Sequence, residues 1–322
     1  MAPEPGVIDS PKCVPPWAAG SIRPMGVDDL AACADVFYAA VDELYARNTR
    51  PLLPRNPASM MRLFGHLLET DPLRCHVAET ASGVVAFGIA HRRGSTWFLS
   101  FLFVRPEHQS AGLGRDLTLR CLAVDEDEGL ARAVCAESIQ PVSLALYTSL
   151  GMAPCVPLFL LTGRPRSERP MGDSLAVEAV PFAELAAADH RGLAAAVGAI
   201  DVATLGYEHP EDHRFWTVSG RQGWLFRDRA SGDAIGYGYA HASGRIGPVA
   251  TTEPGWLEAA LAHLFGAVSP SDAWQLHVPG PNPVLPALLR EGFRFDDAPI
   301  LWCATSDGPA FDRYLVGSFA IL

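Results

Sequence analysis

One stretch of this 322-residue sequence combines residue types that can bind a phosphate group. An apolar run over residues 97–104 predicts a buried strand, and residues 114–126 have the pattern of a helix. The loop between them contains Gly112 and Gly114, which let the backbone approach a bulky group, and Arg115 follows. Amide groups at a helix N-terminus point to one spot, and the helix dipole favours negative charge there. The stretch therefore predicts an anion site, with a simple strand-to-helix turn as the alternative.

Two common types of glycine-rich phosphate loop do not fit this stretch. A mononucleotide P-loop ends in Gly-Lys followed by Ser or Thr, and neither the lysine nor the hydroxyl residue is present. A dinucleotide-binding fingerprint requires a third glycine, which is also missing. The loop needs a different explanation.

Two motifs resemble those of the GNAT superfamily of acyl-CoA-dependent N-acyltransferases. Residues 104–114 read Val-Arg-Pro-Glu-His-Gln-Ser-Ala-Gly-Leu-Gly and resemble its pyrophosphate-binding motif, V-x-P-x-x-[QR]-x-x-G-x-[GA]. Residues 140–152 resemble the next family signature, an Asn-like residue followed by A-x-x-L-Y-x-x-x-G-[FM]. The two motifs occur in the family's order. The resemblance is good over residues 21–162 and faint over residues 175–304.

The resemblance implies a fold and a set of residues that bind acetyl-CoA. The implied fold class is α+β, with two tandem GNAT-like domains, each a mixed, mostly antiparallel sheet flanked by helices. The end of the strand at 97–104 would offer backbone groups to the pantetheine arm, and the loop amides would hold the pyrophosphate. No metal is expected. The residues implied to contact acetyl-CoA are Leu102, Phe103, Val104, Gln109, Ser110, Ala111, Gly112, Leu113, Gly114, Arg115 and Gln140.

Tyr147 stands where many family members keep the residue that protonates the leaving CoA thiolate. A phenol suits this role because it can donate a proton while it is itself neutral near pH 7. The alternative role for Tyr147 is to pack its helix against the sheet.

The general base is harder to identify. Some family members have a glutamate eleven residues before the motif glutamine, but Phe98 occupies that position here. Ser100, His91 and Glu137 lie on neighbouring strands or at their ends, and each could relay a proton from the amine. The base stays unassigned among these three.

The second half of the sequence repeats the first weakly. Residues 81–91 and 230–241 both run from Ala-Ser-Gly to Ala-His, and residues 140–152 and 282–293 both run from a Pro-Val pair to a glycine. Two such matches in the same order in both halves predict a duplicated domain. The expected organisation is a flexible arm at 1–20, a CoA-binding domain at 21–162, a linker at 163–174 and a degenerate copy at 175–322.

The second copy lacks the residues that carry the chemistry in the first. It contains no Q-x-x-G-x-G loop, and Glu253 would repel a pyrophosphate at the corresponding place. The counterpart of Tyr147 is Leu289. We therefore expect the second copy to shape the substrate cleft rather than to bind a second acetyl-CoA.

Charge and cysteine content narrow the choice of partners and compartment. The chain has 25 Lys and Arg against 36 Asp and Glu, so it should not bind nucleic acid but should attract a small cationic substrate. Its seven scattered cysteines form no C-x-x-C pair and are typical of reduced thiols in the cytoplasm. No apolar run is long enough for a membrane span. The sequence leaves open whether the chain forms a homodimer.

Three further segments have expected structural roles. Residues 208–213 contain metal-ligand residue types, but a solvated acidic loop is expected there because Pro210 interrupts the pair of histidines. Residues 125–128 are expected to form a solvated helix end. Residues 311–322 end in an apolar run and should dock across the domain interface.

These observations predict an acyl-CoA-dependent N-acyltransferase, most simply one that acetylates a primary amine of a small molecule by direct attack. A catalytically silent CoA-binding regulatory or interaction module is the alternative. A protein that binds a nucleotide phosphate with the same loop is a weaker third hypothesis.

Overall fold

The computed structural model describes residues 20–124, 129–166, 171–172 and 174–322, and two halves of the chain have the same order of elements. The first half contains β1 (Ser21–Pro24), α1 (Leu30–Arg47), α2 (Pro57–Thr70), β2 (Cys75–Thr80), β3 (Gly83–Arg93), β4 (Thr96–Val104), α3 (Leu113–Leu122), β5 (Ala131–Glu137), α4 (Pro141–Ser149) and β6 (Ala153–Gly163). The second half contains β7 (Val177–Pro181), α5 (Phe182–Leu205), α6 (Pro210–Val218), β8 (Gln222–Asp228), β9 (Ala234–Ala240), β10 (Arg245–Thr251), α7 (Leu257–Ala267), β11 (Trp274–Pro279), α8 (Val284–Arg290), β12 (Arg294–Phe295), β13 (Ile300–Ala304) and β14 (Tyr314–Leu315). The matching order confirms the predicted duplication. The predicted arm up to residue 19 and the segment 125–128 lie outside the described residues.

Local sequence signals explain where the first helices begin. Asn56 caps α2 because its side-chain oxygen accepts a hydrogen bond from the Ser59 amide at 3.1 Å, and a proline opens the helix. A short 3-10 turn over Val27–Asp29 precedes α1. Asp29 does not cap α1 with its side chain; its carboxylate accepts hydrogen bonds from Arg23 and from the Gly26 amide.

The strands of the two halves alternate at the centre of one continuous sheet. Their order is β1-β2-β3-β4-β5-β13-β6-β11-β10-β9-β8-β7. The strand β13 of the second half pairs with β5, and the strand β6 of the first half pairs with β11. Each half therefore holds a strand of the other, and the two halves are joined by backbone hydrogen bonds. The domain boundary placed at 163–174 stays a prediction.

The strands β4 and β5 diverge partway along their length. They pair in parallel only from Thr96 to Leu99, and Ser100 forms a bulge where the β3–β4 register shifts. Beyond the bulge, no strand in the described part of the chain pairs with the β5-facing edge of β4. The backbone groups of residues 100–103 on that edge are available to an extended ligand.

The same divergence in the second half is filled by the chain itself. The strands β10 and β11 pair only at residues 245–246 and 275–276. The open edge of β10 pairs with β14, with Val249 opposite Leu315 and Ala250 opposite Tyr314. The C-terminal segment, residues 311–322, thus lies where the first half has an open edge.

The apolar core runs through both halves. One apolar cluster contains Phe37 of α1, Trp302 of β13, and Ile321 and Leu322 of the C-terminal segment. Ile321 and Leu322 are almost fully buried, which confirms that this segment docks where the halves meet. Among the described residues, no helix is both long and apolar enough to cross a membrane.

Candidate active site

A cavity of about 1100 Å³ crosses one face of the sheet. Its floor runs from β4 and β5 across β13, β6 and β11 to β10. Residues of α1, the loop 49–54 and residues 318–320 line it as well. Because both halves contribute to its wall, the second half shapes the space in which a substrate of the first half would lie.

Nearly all residues implied to bind acetyl-CoA line this cavity. Ala111 belongs to the same loop but is not part of the cavity wall. That these residues bind acetyl-CoA stays a prediction, but the structure does bring them together. Those in the wall are Leu102, Phe103, Val104, Gln109, Ser110, Gly112, Leu113, Gly114, Arg115, Gln140 and the proposed acid Tyr147.

The glycine loop places unoccupied backbone donors at the cavity wall. Gly112 precedes α3 with a φ of +85°, and no side chain caps the helix. The amides of Leu113 and Gly114 belong to the first helical turn, which has no intrahelical acceptor for them. A Cβ on Gly112 would meet no protein atom within 4 Å, so the space beside it is open. This is the geometry of an anion site at a helix N-terminus.

Two side chains hold the loop in place. Gln109 donates a hydrogen bond from Nε2 to the Val104 carbonyl at 3.0 Å, which ties the loop to the end of β4. Arg115 donates from Nη1 to Ser149 Oγ at 3.0 Å and joins α3 to α4. The glutamine of the motif therefore orders the loop through its side chain.

Tyr147 lies on α4, is 5 % exposed and lines the cavity. Burial raises the pKa of its phenol above the ordinary value, so the hydroxyl is protonated at neutral pH. A protonated phenol at the cavity wall is what the predicted acid requires, although its burial also makes it a weaker acid.

Glu137 is the best placed of the three candidate bases. It is the last residue of β5 and lines the cavity, and burial raises the pKa of its carboxyl despite the nearby Arg50. Its Oε2 lies 3.6 Å from Arg50 Nη1 and, within the described residues, accepts no hydrogen bond. A carboxyl with a raised pKa and an oxygen that accepts no hydrogen bond from the described residues suits a general base.

His91 and Ser100 form a second route for a proton. Ser100 lines the cavity, and its Oγ lies 2.8 Å from His91 Nδ1. His91 is buried behind it, and burial and the charge of Arg93 lower its pKa to about 3. A histidine with this pKa is a poor base at neutral pH, so its contact with Ser100 orders the bulge.

Arg50, Asp297, Arg245 and His277 also line the cavity and were not singled out in the sequence. Arg50 forms ion pairs with Glu137 and Asp297 and stacks on the Tyr45 ring at 4.1 Å. These residues come from a loop and from the second half, where no local motif marks them. Only the strand exchange brings them to one wall.

The expectation of a solvated acidic loop at 208–213 is wrong. Pro210 is the first residue of α6 and is compatible with it there, so His209 and His213 lie together on the buried side. His213 Nε2 lies 2.9 Å from Asp201, while His209 lies 3.3 Å from Asp201 and 3.4 Å from Asp212.

These residues belong to a buried polar network that joins the two halves. Asp212, 1 % exposed, binds Arg93 of β3 at 2.9 Å and His66 of α2 at 2.8 Å. The ligand atoms of Asp201, His209 and His213 lie within 4.8 Å of one another, which would suit a metal ion. Asp201 already accepts hydrogen bonds from Tyr237 and His213, so both of its carboxylate oxygens are engaged within the protein.

Comparison with known proteins assigns the first half to a family. Residues 38–152 match the model of the acetyltransferase (GNAT) family. That range extends from α1 to the turn after α4 and contains the glycine loop and Tyr147. The first half therefore contains a GNAT domain. No curated protein matches the sequence.

Solved structures extend the likeness to the fold of nearly the whole chain. A putative acetyltransferase from Pyrococcus horikoshii has a TM-score of 0.73 at 17% identity, over 94% of this chain and 96% of its own. A GCN5-related N-acetyltransferase from Sphaerobacter thermophilus has a TM-score of 0.62 at 16% identity, over 90% and 97%. A tandem GNAT protein from the clavulanic acid biosynthesis pathway has a TM-score of 0.52 at 14% identity, over 90% and 99%. The chain as a whole has a tandem GNAT fold.

Proposed function

We propose that the chain is an acyl-CoA-dependent N-acyltransferase that moves an acetyl group from acetyl-CoA to a primary amine of a small molecule. The observation that carries this proposal is that three features line the same cavity. The open edge of β4, the uncapped N-terminus of α3 and the side chains of Tyr147 and Glu137 all line it. A thioester, an acceptor and two proton-transfer groups can therefore meet in one space.

Each group has a distinct part in the proposed reaction. The loop amides hold the pyrophosphate, and the β4 edge pairs with the pantetheine arm. Glu137, through water, removes a proton from the ammonium so that the neutral amine attacks the thioester carbonyl. A backbone amide of β4 stabilises the oxyanion, the C–S bond breaks, and Tyr147 protonates the CoA thiolate. The nitrogen of the new amide gives up its second proton, which returns through water to the Tyr147 phenolate.

The second half supports one active site and does not form a second. The β14 strand fills the gap between β10 and β11, so a pantetheine arm cannot pair there. Leu289, the counterpart of Tyr147, is 38 % exposed on α8. We infer one acetyl-CoA per chain. The six described cysteines are free thiols, which supports a cytoplasmic location.

Release of the CoA thiol from acetyl-CoA, measured with a panel of primary amines, tests this function. Tyr147→Phe and Glu137→Gln should each lower kcat by about 100-fold or more while acetyl-CoA still binds. Tyr207→Phe is the control, since Tyr207 is also buried but does not line the large cavity. Binding of acetyl-CoA without release of thiol for any amine would instead support the silent CoA-binding module.

A further inference from the structure

The end of the cavity farthest from the glycine loop is basic. Arg245 of β10 and His277 of β11 line it, together with Gln275 and Phe319. The Arg245 guanidinium donates from Nη1 to His277 Nε2 at 2.8 Å, and Phe319 packs on the His277 ring with centroids 4.0 Å apart. The positively charged Arg245 side chain is thus held in the cavity wall by His277, which Phe319 in turn packs against.

The charge of Arg245 has no acidic partner among the residues that the structure describes. Within the described ranges its side chain makes hydrogen bonds to His277 alone and forms no ion pair. Burial lowers the pKa of Arg245, and no neighbouring acid raises it. A partly buried guanidinium without an anion is costly, which makes this position a natural one for an anionic ligand.

The surroundings add positive charge. Burial and the charge of Arg245 lower the pKa of Arg221 to about 10, so Arg221 is also a cation at neutral pH. Arg221 donates to the carbonyls of Gly247 and Gly317 and is therefore held in the protein. Burial and the two arginines keep His277 neutral, so it accepts from Arg245 and cannot balance the charge.

We propose that the acceptor amine carries a carboxylate, and that Arg245 binds this carboxylate at the end of the cavity formed by the second half. This inference rests on the proposed function, because it concerns the acceptor of the same reaction. Arg245 Nε and Nη2 make no hydrogen bond to any residue that the structure describes, so they can donate in parallel to two carboxylate oxygens, which is the favoured geometry for an arginine–carboxylate pair.

The extent of the cavity also indicates the length of this acceptor. Glu137 and Arg245 lie on strands separated by four strand spacings, which is about 19 Å between backbones at about 4.8 Å each. Both side chains line the cavity, so an acceptor that reaches from one to the other is longer than a single amino acid. An extended peptide covers about 3.3 Å per residue, so a tripeptide, at about 10 Å, is a suitable elongated probe. The acceptor is elongated, with its amine and its carboxylate at opposite ends.

Acetylation of triglycine and of its C-terminal amide tests the proposal, with glycine as the short probe. In the wild-type protein, kcat/KM for triglycine should exceed that for the amide by about 10-fold or more, mainly through KM, and glycine should be poorer than triglycine. In Arg245→Met the ratio of triglycine to amide should fall to about one, while acetyl-CoA affinity is retained. Arg227→Met is the control, since Arg227 is a partly buried arginine of β8 outside the cavity.

Calorimetric titration of the same two peptides into the CoA-bound protein separates the two proposals. Tighter binding of triglycine than of its amide, lost in Arg245→Met, would support the carboxylate site even if no acetyl group were transferred. Equal affinity and equal rates for the two peptides in the wild-type protein would overturn the carboxylate site and leave the acyltransferase proposal standing. Triglycine that neither binds nor reacts would overturn it as well.

Discussion

Replacing Gly112 by alanine isolates the role of the glycine loop. Gly112 has a φ of +85°, and a Cβ there would meet no protein atom within 4 Å. The new methyl group therefore clashes with nothing in the protein and projects into the space that we assign to the pyrophosphate. Any loss of affinity then reports on the ligand and not on a rearranged core.

The expected magnitudes follow from this geometry. The left-handed backbone costs an alanine about 1–2 kcal/mol, which lowers the free energy of unfolding by that amount. A hydrogen bond to a charged group contributes about 1.5–3 kcal/mol, so loss of one amide–phosphate bond weakens acetyl-CoA binding by about 10- to 150-fold.

Gly206→Ala is a matched control for the assay. Gly206 also has a φ of +85° and open space around its Cα, but it follows α5 and does not line the cavity. Denaturant unfolding should show a similar loss of stability in both variants. Calorimetric titration with acetyl-CoA should show a loss of affinity only in Gly112→Ala. Equal acetyl-CoA affinity in the two variants would refute the assignment of the loop.

Three further predictions concern the base and the interface network. Burial raises the Glu137 pKa, so kcat/KM should rise with pH through a pKa above that of an ordinary glutamate, and Glu137→Gln should remove this limb of the pH–rate profile. Asp212→Asn leaves Arg93 poorly paired, so urea unfolding should show a loss of about 3–5 kcal/mol, against almost none for the exposed Asp35→Asn. Burial opposes the charging of His209, but Asp201 and Asp212 outweigh it and raise its pKa to about 9, above an ordinary value of 6.5. Charged His209 therefore stabilises the folded protein fully below pH 6.5, and this contribution is lost as the pH rises to about 9. The Tm should fall over this pH range, and it should fall less in His209→Gln. An equal fall in that variant would contradict the role of His209.

The sequence allows the elements of the first half and its cofactor-binding loop to be predicted. An apolar run marked β4, and the motif spacing marked Gly112 and Tyr147. These features depend on interactions close in sequence. The duplication was detectable for the same reason, since each copy keeps a stretch from Ala-Ser-Gly to Ala-His and a Pro-Val pair followed by a glycine.

The exchange of β6 and β13 could not be predicted, because strand pairing over such a sequence distance leaves no local pattern. The basic end of the cavity follows from that exchange and was missed with it. The polar network was misjudged for a related reason. Charged residues in a short segment usually face solvent, and only the packing of α6 against the first half buries Asp212 with Arg93.

Calorimetric titration of the intact chain with acetyl-CoA tests whether the glycine loop of the first half forms one acyl-CoA site. We expect one binding site per chain, abolished by Gly112→Glu, because that variant places a negative charge beside the pyrophosphate. Two sites per chain would show that β14 does not block the second half. No binding at all, or unchanged binding in Gly112→Glu, would contradict the assignment of the cavity to an acyltransferase.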